Sequence, residues 1–112
     1  MVTIYHNPRC TKSRETLALL EKKGVKPTII EYLKTPPDAA EIKRLLKMLG
    51  KSPRELLRAK EAKDAGLDKP ALTDDQIVAG MVKNPIVIER PIVVNGSRAA
   101  LGRPPESVLK IL

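Results

Sequence analysis

Two short strand-like stretches with a helical stretch between them open this chain, and they constrain its fold more than any other feature. Residues 2–5 and 28–32 are short and rich in β-branched side chains, as strands are. Residues 10–23 follow a helical pattern, and Gly24 is placed to end the helix. A strand, a helix and a second strand in this order predict a parallel pair of strands with a helical crossover.

The middle of the chain is predicted to be helical. Asp38 and Thr73 each precede a Glu or a Gln by three residues, the spacing of a capping box, and aliphatic residues follow both at helical intervals. A short helix is expected over residues 53–58, and residues 59–71 have the composition of a polar connection with weak helical character. The segment therefore predicts a helical insertion after the second strand.

The last quarter of the chain is predicted to return to strands. Residues 86–88 and 92–94 are strand-like, and Asn95-Gly96 is a hairpin turn that leads to a strand at residues 98–101. Pro104 is placed to open a C-terminal helix. The complete order favours an α/β chain with a thioredoxin-like fold, in which a helical insertion interrupts a mixed four-stranded sheet.

Length and composition limit the architecture and the compartment. A chain of 112 residues predicts one domain over residues 1–112, and its core must be aliphatic because Phe and Trp are absent and Tyr occurs twice. No stretch approaches the roughly 18 apolar residues of a membrane span, and the N-terminus lacks the pattern of a signal peptide. One cysteine cannot form an internal disulfide, so we expect a cytoplasmic protein with a free thiol.

The formal net charge of +8 indicates an anionic partner. Nucleic acid is disfavoured because the chain has almost no aromatic side chains to stack on bases, and we expect neither nucleic acid nor a membrane as partner. Residues 5–14 contain several basic residues and no acid, and they surround the only cysteine, Cys10. The basic residues of this run are His6, Arg9, Lys12 and Arg14.

Cys10 is the candidate nucleophile. It opens the predicted first helix, where unpaired backbone N–H groups stabilise a thiolate and bind anions. The motif from Cys10 to Ser13 is a Cys-x-x-Cys pattern in which a hydroxyl replaces the second thiol. Ser13 is placed to donate a hydrogen bond to the thiolate, but it cannot close a disulfide. Any adduct on Cys10 must therefore be resolved by a thiol from outside the chain.

His6 precedes the cysteine by four residues and leaves three roles open. As a cation it would lower the pKa of Cys10, and as a neutral imidazole it would accept the thiol proton. A purely structural role in the turn is the third. Metal binding is not expected, because one histidine and one cysteine are too few for a zinc site.

Six segments together resemble the glutaredoxin-dependent arsenate reductase (ArsC) family, and specifically its short YfgD-like subgroup. They are residues 5–8, 13–14, 32–37, 54–58, 90–94 and 103–104. The resemblance implies a thioredoxin-like fold and the reduction of arsenate to arsenite by a single cysteine. It also implies glutathione as co-substrate, glutaredoxin as partner, and no bound cofactor.

The resemblance assigns roles to six residues of this chain. Cys10 resembles the nucleophile, and His6 and Ser13 resemble residues that tune its thiolate. Three arginines resemble the residues that hold the oxyanion, namely Arg58, Arg90 and Arg103. Planar guanidinium groups suit this role, because they bind tetrahedral oxyanions through two parallel hydrogen bonds. Pro91 stands where thioredoxin-like folds often have a cis-proline.

Two alternatives remain open from the sequence. The first is another glutathione-linked thiol oxidoreductase on the same scaffold. The second is a non-enzymatic regulator that binds RNA polymerase, like the Spx-type proteins that share this fold. Such regulators typically use a second cysteine as a redox switch, and this chain has Ser13 at that position.

Overall fold

A mixed four-stranded sheet organises one part of the molecule in the computed structural model, which describes residues 1–112. The strands are β1 (Val2–His6), β2 (Thr28–Glu31), β3 (Ile92–Asn95) and β4 (Arg98–Leu101), in the order β2-β1-β3-β4. β1 and β2 run parallel, whereas β1–β3 and β3–β4 are antiparallel. The predicted α/β architecture with a mixed four-stranded sheet is therefore confirmed.

Helix α1 (Thr11–Lys22) is the crossover between the parallel strands. It buries Leu20, which packs in an aliphatic core with Ile4 of β1 and Val93 of β3. Val108 and Ile111, from a C-terminal 3-10 helix, complete this core, which contains no aromatic ring. Across the whole molecule, no helix is long and apolar enough to cross a membrane.

The chain contacts divide the molecule into two compact units. One contains the sheet and comprises Met1–Thr35 and Arg90–Leu112, and the other comprises Pro36–Glu89. The second unit contains α2 (Ala39–Leu49), α3 (Ala59–Asp64) and α4 (Asp74–Lys83), and α2 packs on α4. The expectation of one domain over residues 1–112 stays a prediction.

Both predicted capping positions begin helices of the second unit. The Asp38 carboxylate accepts the Glu41 N–H at 2.8 Å, at the start of α2. At the start of α4, Thr73 and Gln76 exchange hydrogen bonds in a complete capping box. Such side chains satisfy backbone donors that have no partner inside the helix. The sequence therefore located these two helix starts correctly.

Three local predictions were wrong or incomplete. Residues 86–88 do not form a strand, because Pro85 starts a 3-10 turn (Pro85–Val87) and only Ile88 makes an isolated bridge, to Leu57. The expected polar connection contains α3. The C-terminal helix is of the 3-10 type, over Pro105–Ile111.

The β3–β4 hairpin turns one residue later than predicted. Asn95 pairs with Arg98, so the two loop residues are Gly96 and Ser97. Gly96 has a φ of +63°, which fits the type II′ turn that places glycine first in a two-residue loop.

Gly102 follows β4 at a point where the backbone comes unusually close to α1. Its N–H donates to the Pro91 carbonyl at 2.9 Å. A Cβ atom there would overlap the hydroxyl of Thr16, a fully buried residue of α1, and would lie 2.7 Å from the Pro91 ring. The Arg90–Pro91 peptide is cis. Gly102 therefore allows Pro91, in the turn before β3, to lie closer to Thr16 of α1 than any residue with a side chain at position 102 would permit.

Candidate functional site

Cys10 is the N-cap residue of α1 and ends the tight loop that follows β1. Its backbone is extended, with φ −92° and ψ 123°. Its N–H donates to the Asn7 carbonyl at 3.0 Å, and its own carbonyl accepts the Arg14 N–H at 3.0 Å. The thiol is free and partly exposed. This location places a reachable sulfur at the positive end of the helix.

The pKa of the Cys10 thiol is lowered from its ordinary value. Partial burial raises this pKa, but the Ser13 N–H, the Arg90 guanidinium and the Lys12 N–H together outweigh burial and lower it. Backbone donors in the first turn of a helix and a nearby cation are the usual means of activating a cysteine. The site therefore shifts the pKa of Cys10 in the direction that a helix-opening position favours.

Alkylation of Cys10 by iodoacetamide should accordingly reach its half-maximal rate at a pH below that of an ordinary cysteine. Thiolate is the reactive form, so the rate rises as pH passes through the lowered pKa. The same chain unfolded in urea is the matched reference, because only the folded environment differs. A midpoint at or above about 8.5 in the folded protein would contradict an activated thiol.

The Ser13 hydroxyl belongs to a buried network on the inner side of the loop. It lies 2.6 Å from His6 Nδ1 and accepts the Asn7 N–H at 3.0 Å. Ser13 is fully buried, and His6 and Asn7 are almost so. Ser13 therefore faces Cys10 through its backbone N–H, while its side chain joins the loop to the end of β1.

The surroundings of His6 lower the pKa of its imidazole. Burial lowers the pKa of the imidazole, Glu31 raises it, Arg14 lowers it, and the net direction is downward. This direction disfavours the cationic role of His6, and His6 is not among the groups that lower the pKa of Cys10. Its contact with Ser13 is compatible with the structural role.

Arg90 and Arg103 come together in the sheet-containing unit. Arg90 is buried, and its guanidinium acts on the Cys10 sulfur by hydrogen bonding and by charge. Arg103 Nη1 donates to the Arg90 carbonyl at 3.0 Å. The Arg103 side chain is thus hydrogen-bonded to the backbone of Arg90, 13 residues earlier in the chain.

Arg58 lies in the second unit, where two carboxylates bind its guanidinium. Nη1 is 2.8 Å from Glu89 Oε1, and Nε is 3.4 Å from Glu61 Oε1. Burial lowers the pKa of Arg58, but both carboxylates raise it and prevail. Its N–H donates to the Val87 carbonyl at 2.8 Å. The role of Arg58 as an oxyanion ligand stays a prediction.

Part of the positive charge around Cys10 is engaged in hydrogen bonds and an ion pair within residues 8–15. Arg14 donates to the Pro8 carbonyl at 2.9 Å and to Thr11 Oγ1 at 3.3 Å. Lys12 lies 3.7 Å from Glu15 in an exposed pair of the kind that contributes little to stability. Arg9 is exposed.

Asn7 is the residue that sequence reasoning missed. Its Oδ1 accepts the Arg9 N–H at 3.0 Å, the hydrogen bond of an Asx-turn. The signal was an asparagine directly before Pro8 in a turn, which is typical of this geometry.

Nowhere in the molecule are three His, Cys, Asp or Glu side chains grouped so that they could hold a metal ion.

Comparison with known proteins gives relatives over the whole chain. Residues 5–111 match the ArsC family. The chain is 53% identical to the uncharacterized protein YfgD of Escherichia coli K12, covering 99% of this chain and 96% of that protein. It is 46% identical to an arsenate reductase of Haemophilus influenzae, covering 99% and 98%. The solved structure of an arsenate reductase from Vibrio cholerae superposes with a TM-score of 0.95 at 51% identity, covering 99% and 97%.

Proposed function

The chain belongs to the ArsC family and has its thioredoxin-like fold, and from that premise we propose that it reduces arsenate to arsenite with Cys10 as the nucleophile. One observation carries the proposal: the Arg90 guanidinium and the first-turn N–H groups of α1 all act on the sulfur of Cys10. Arsenate is an anion and repels a thiolate. A site that brings the two together needs this concentration of positive charge and N–H donors.

The geometry at Cys10 supports oxyanion binding by Arg90, and the family resemblance adds Arg103, whose guanidinium lies against the Arg90 carbonyl. Arg90 is buried beside Cys10, so its charge is poorly screened by solvent. Arg103 adds a second guanidinium on the backbone of Arg90. In the proposed reaction they neutralise the arsenate while the Cys10 thiolate attacks arsenic, forming an S–As bond as one oxygen leaves as water.

The electrons for the reduction come from thiols outside the chain. Reducing arsenic from the +5 to the +3 state takes two electrons, which corresponds to the oxidation of two thiols to a disulfide. Glutathione forms a second S–As bond with loss of another water. A glutaredoxin thiolate then attacks the glutathione sulfur and forms a mixed disulfide with it. The bond between that sulfur and arsenic breaks, its electron pair passes to arsenic, and As(III) stays bonded to Cys10. Water releases arsenite and restores Cys10.

This chemistry uses thiols alone, so the proposal includes no bound cofactor and treats glutathione as a co-substrate. A reducing compartment must supply both glutathione and reduced glutaredoxin. We therefore propose the cytoplasm as the site of the reaction, in keeping with a chain whose only cysteine is free.

Omitting each component in turn tests the proposed function. The purified protein should release arsenite from arsenate only when both glutathione and glutaredoxin are present, since the chain has no second thiol to resolve the adduct. Release of arsenite can be followed directly, and consumption of NADPH through glutathione reductase gives an independent rate. Turnover with thioredoxin alone at the same rate would mean that the recycling chemistry is wrong.

A further inference from the structure

Asn7 forms hydrogen bonds on both sides of Cys10. Its carbonyl accepts the Cys10 N–H at 3.0 Å, and its side-chain Oδ1 accepts the Arg9 N–H at 3.0 Å. Its own N–H donates to the Ser13 hydroxyl at 3.0 Å, three residues beyond the cysteine. Asn7 is 4% exposed, so water has little access to replace these bonds.

These three hydrogen bonds fix the backbone of the loop where it leads into Cys10 and α1. The bonds from Cys10 and Arg9 close a tight turn over residues 7–10, and Pro8 restricts the backbone at its second position. The bond to Ser13 attaches the start of that turn to the first turn of α1. The Ser13 N–H is the donor that lowers the pKa of Cys10 most, so its location relative to the sulfur depends on this attachment.

We propose that Asn7 is a positioning residue of the Cys10 site, which holds the sulfur against the N–H groups at the start of α1. The inference rests on the proposed function, because it gives Asn7 a role in a reaction of Cys10. Within the turn, the side chain supplies one bond that substitution can remove, the Asx-turn bond to Arg9. Both backbone bonds of Asn7 remain available to any residue except proline.

Asn7→Ala removes the side-chain acceptor and frees the turn to move the sulfur away from the helix. We expect the midpoint of iodoacetamide alkylation to move to higher pH and the rate at neutral pH to fall at least about threefold. Asn7→Ser should show a smaller shift, because its hydroxyl can accept the same N–H. Turnover of arsenate should fall at neutral pH and recover as pH rises and the thiol ionises in both proteins.

Asn95→Ala is the matched control within the same unit. Asn95 also bonds a backbone group through its side chain, since its Nδ2 donates to the Ile111 carbonyl at 2.7 Å. Removing this bond should lower Tm and leave the alkylation midpoint of Cys10 unchanged. An equal midpoint shift in Asn95→Ala would overturn the proposal, because general loosening of the fold would then explain both results.

An Asn7→Ala protein with lowered Tm and an unchanged midpoint would also overturn it, since Asn7 would then be structural only. If Asn7→Ala does not fold, Asn7→Leu, which fills the site but has no acceptor for the Arg9 N–H, decides by the same comparison with wild type and with Asn95→Ala. The alkylation readout contains no arsenate. A failure of arsenate reduction would therefore leave the positioning role standing, and a failure of the positioning role would leave the proposed function standing.

Discussion

Replacement of Cys10 by serine is expected to abolish arsenate reduction altogether. A serine hydroxyl is not ionised at neutral pH and provides no sulfur to bond arsenic, so neither the adduct nor the later electron transfer can form. Release of arsenite by Cys10→Ser, with glutathione and glutaredoxin present, should equal the rate without the protein. Any turnover that depends on the variant would contradict Cys10 as the nucleophile.

The fold of this variant should be intact, which makes the test clean. Cys10 is the N-cap of α1, and serine is among the residues most favoured at that position. The thiol is partly exposed, so the exchange removes little buried apolar surface. Thermal unfolding of Cys10→Ser should therefore show a Tm equal to that of wild type or slightly higher. A large fall in Tm would require a different variant, such as Cys10→Ala.

Removal of the Arg90 charge is expected to produce the second largest loss. Arg90→Ala should lower kcat/KM for arsenate by at least about tenfold, which corresponds to about 1.4 kcal/mol of transition-state stabilisation. Arg90→Lys should recover part of the loss, because lysine restores the charge without the two parallel N–H donors. Since Arg90 also lowers the pKa of Cys10, the rates must be compared at a pH where the thiol is ionised in every variant.

Two controls separate charge from packing and from the general field of a basic protein. Arg90 is 8% exposed, and Arg90→Met retains most of its volume without the charge. The difference in rate between Arg90→Ala and Arg90→Met therefore measures the part of the loss that comes from packing. Lys22 is exposed at the end of α1, and Lys22→Ala removes one charge away from the loop. An equal loss in Lys22→Ala would indicate bulk electrostatics, and an undiminished rate in Arg90→Ala would contradict the proposed oxyanion site.

Local rules predicted the parts of this fold that depend on near neighbours in sequence. The start of α4 follows from Thr73 and Gln76 alone, and the parallel pair β1–β2 follows from two short strands and the helix between them. The prediction at residues 86–88 failed because β-branched side chains suggested a strand where Pro85 imposes a helical turn. Composition and backbone constraint pointed in opposite directions there.

The position of the site in the chain was predictable, but the hydrogen-bond and ion-pair partners of its side chains were less so. The helix-opening location of Cys10 follows from neighbouring residues, and so do the Ser13 and Lys12 N–H groups that lower the pKa of its thiol, whereas the contribution of Arg90 depends on the tertiary fold. The side-chain partners of Ser13 and Arg58 do not, because a hydroxyl and a guanidinium each have many candidate partners. Glu89, which binds Arg58, is 31 residues away along the chain. Such pairings depend on the tertiary fold, which spacing rules do not specify.

Gly102 shows that mutational tolerance and chemical participation are separate properties in this molecule. It has no side chain with which to touch a ligand, yet any Cβ there would come too close to Thr16 and Pro91, so that one of these buried residues would have to shift. In a saturation screen for activity, position 102 would therefore be as intolerant as a residue that contacts the substrate. The reason would be geometric. Because Gly102 has no Cβ atom, the Arg90–Pro91 peptide, which precedes β3, can lie close to Thr16 of α1.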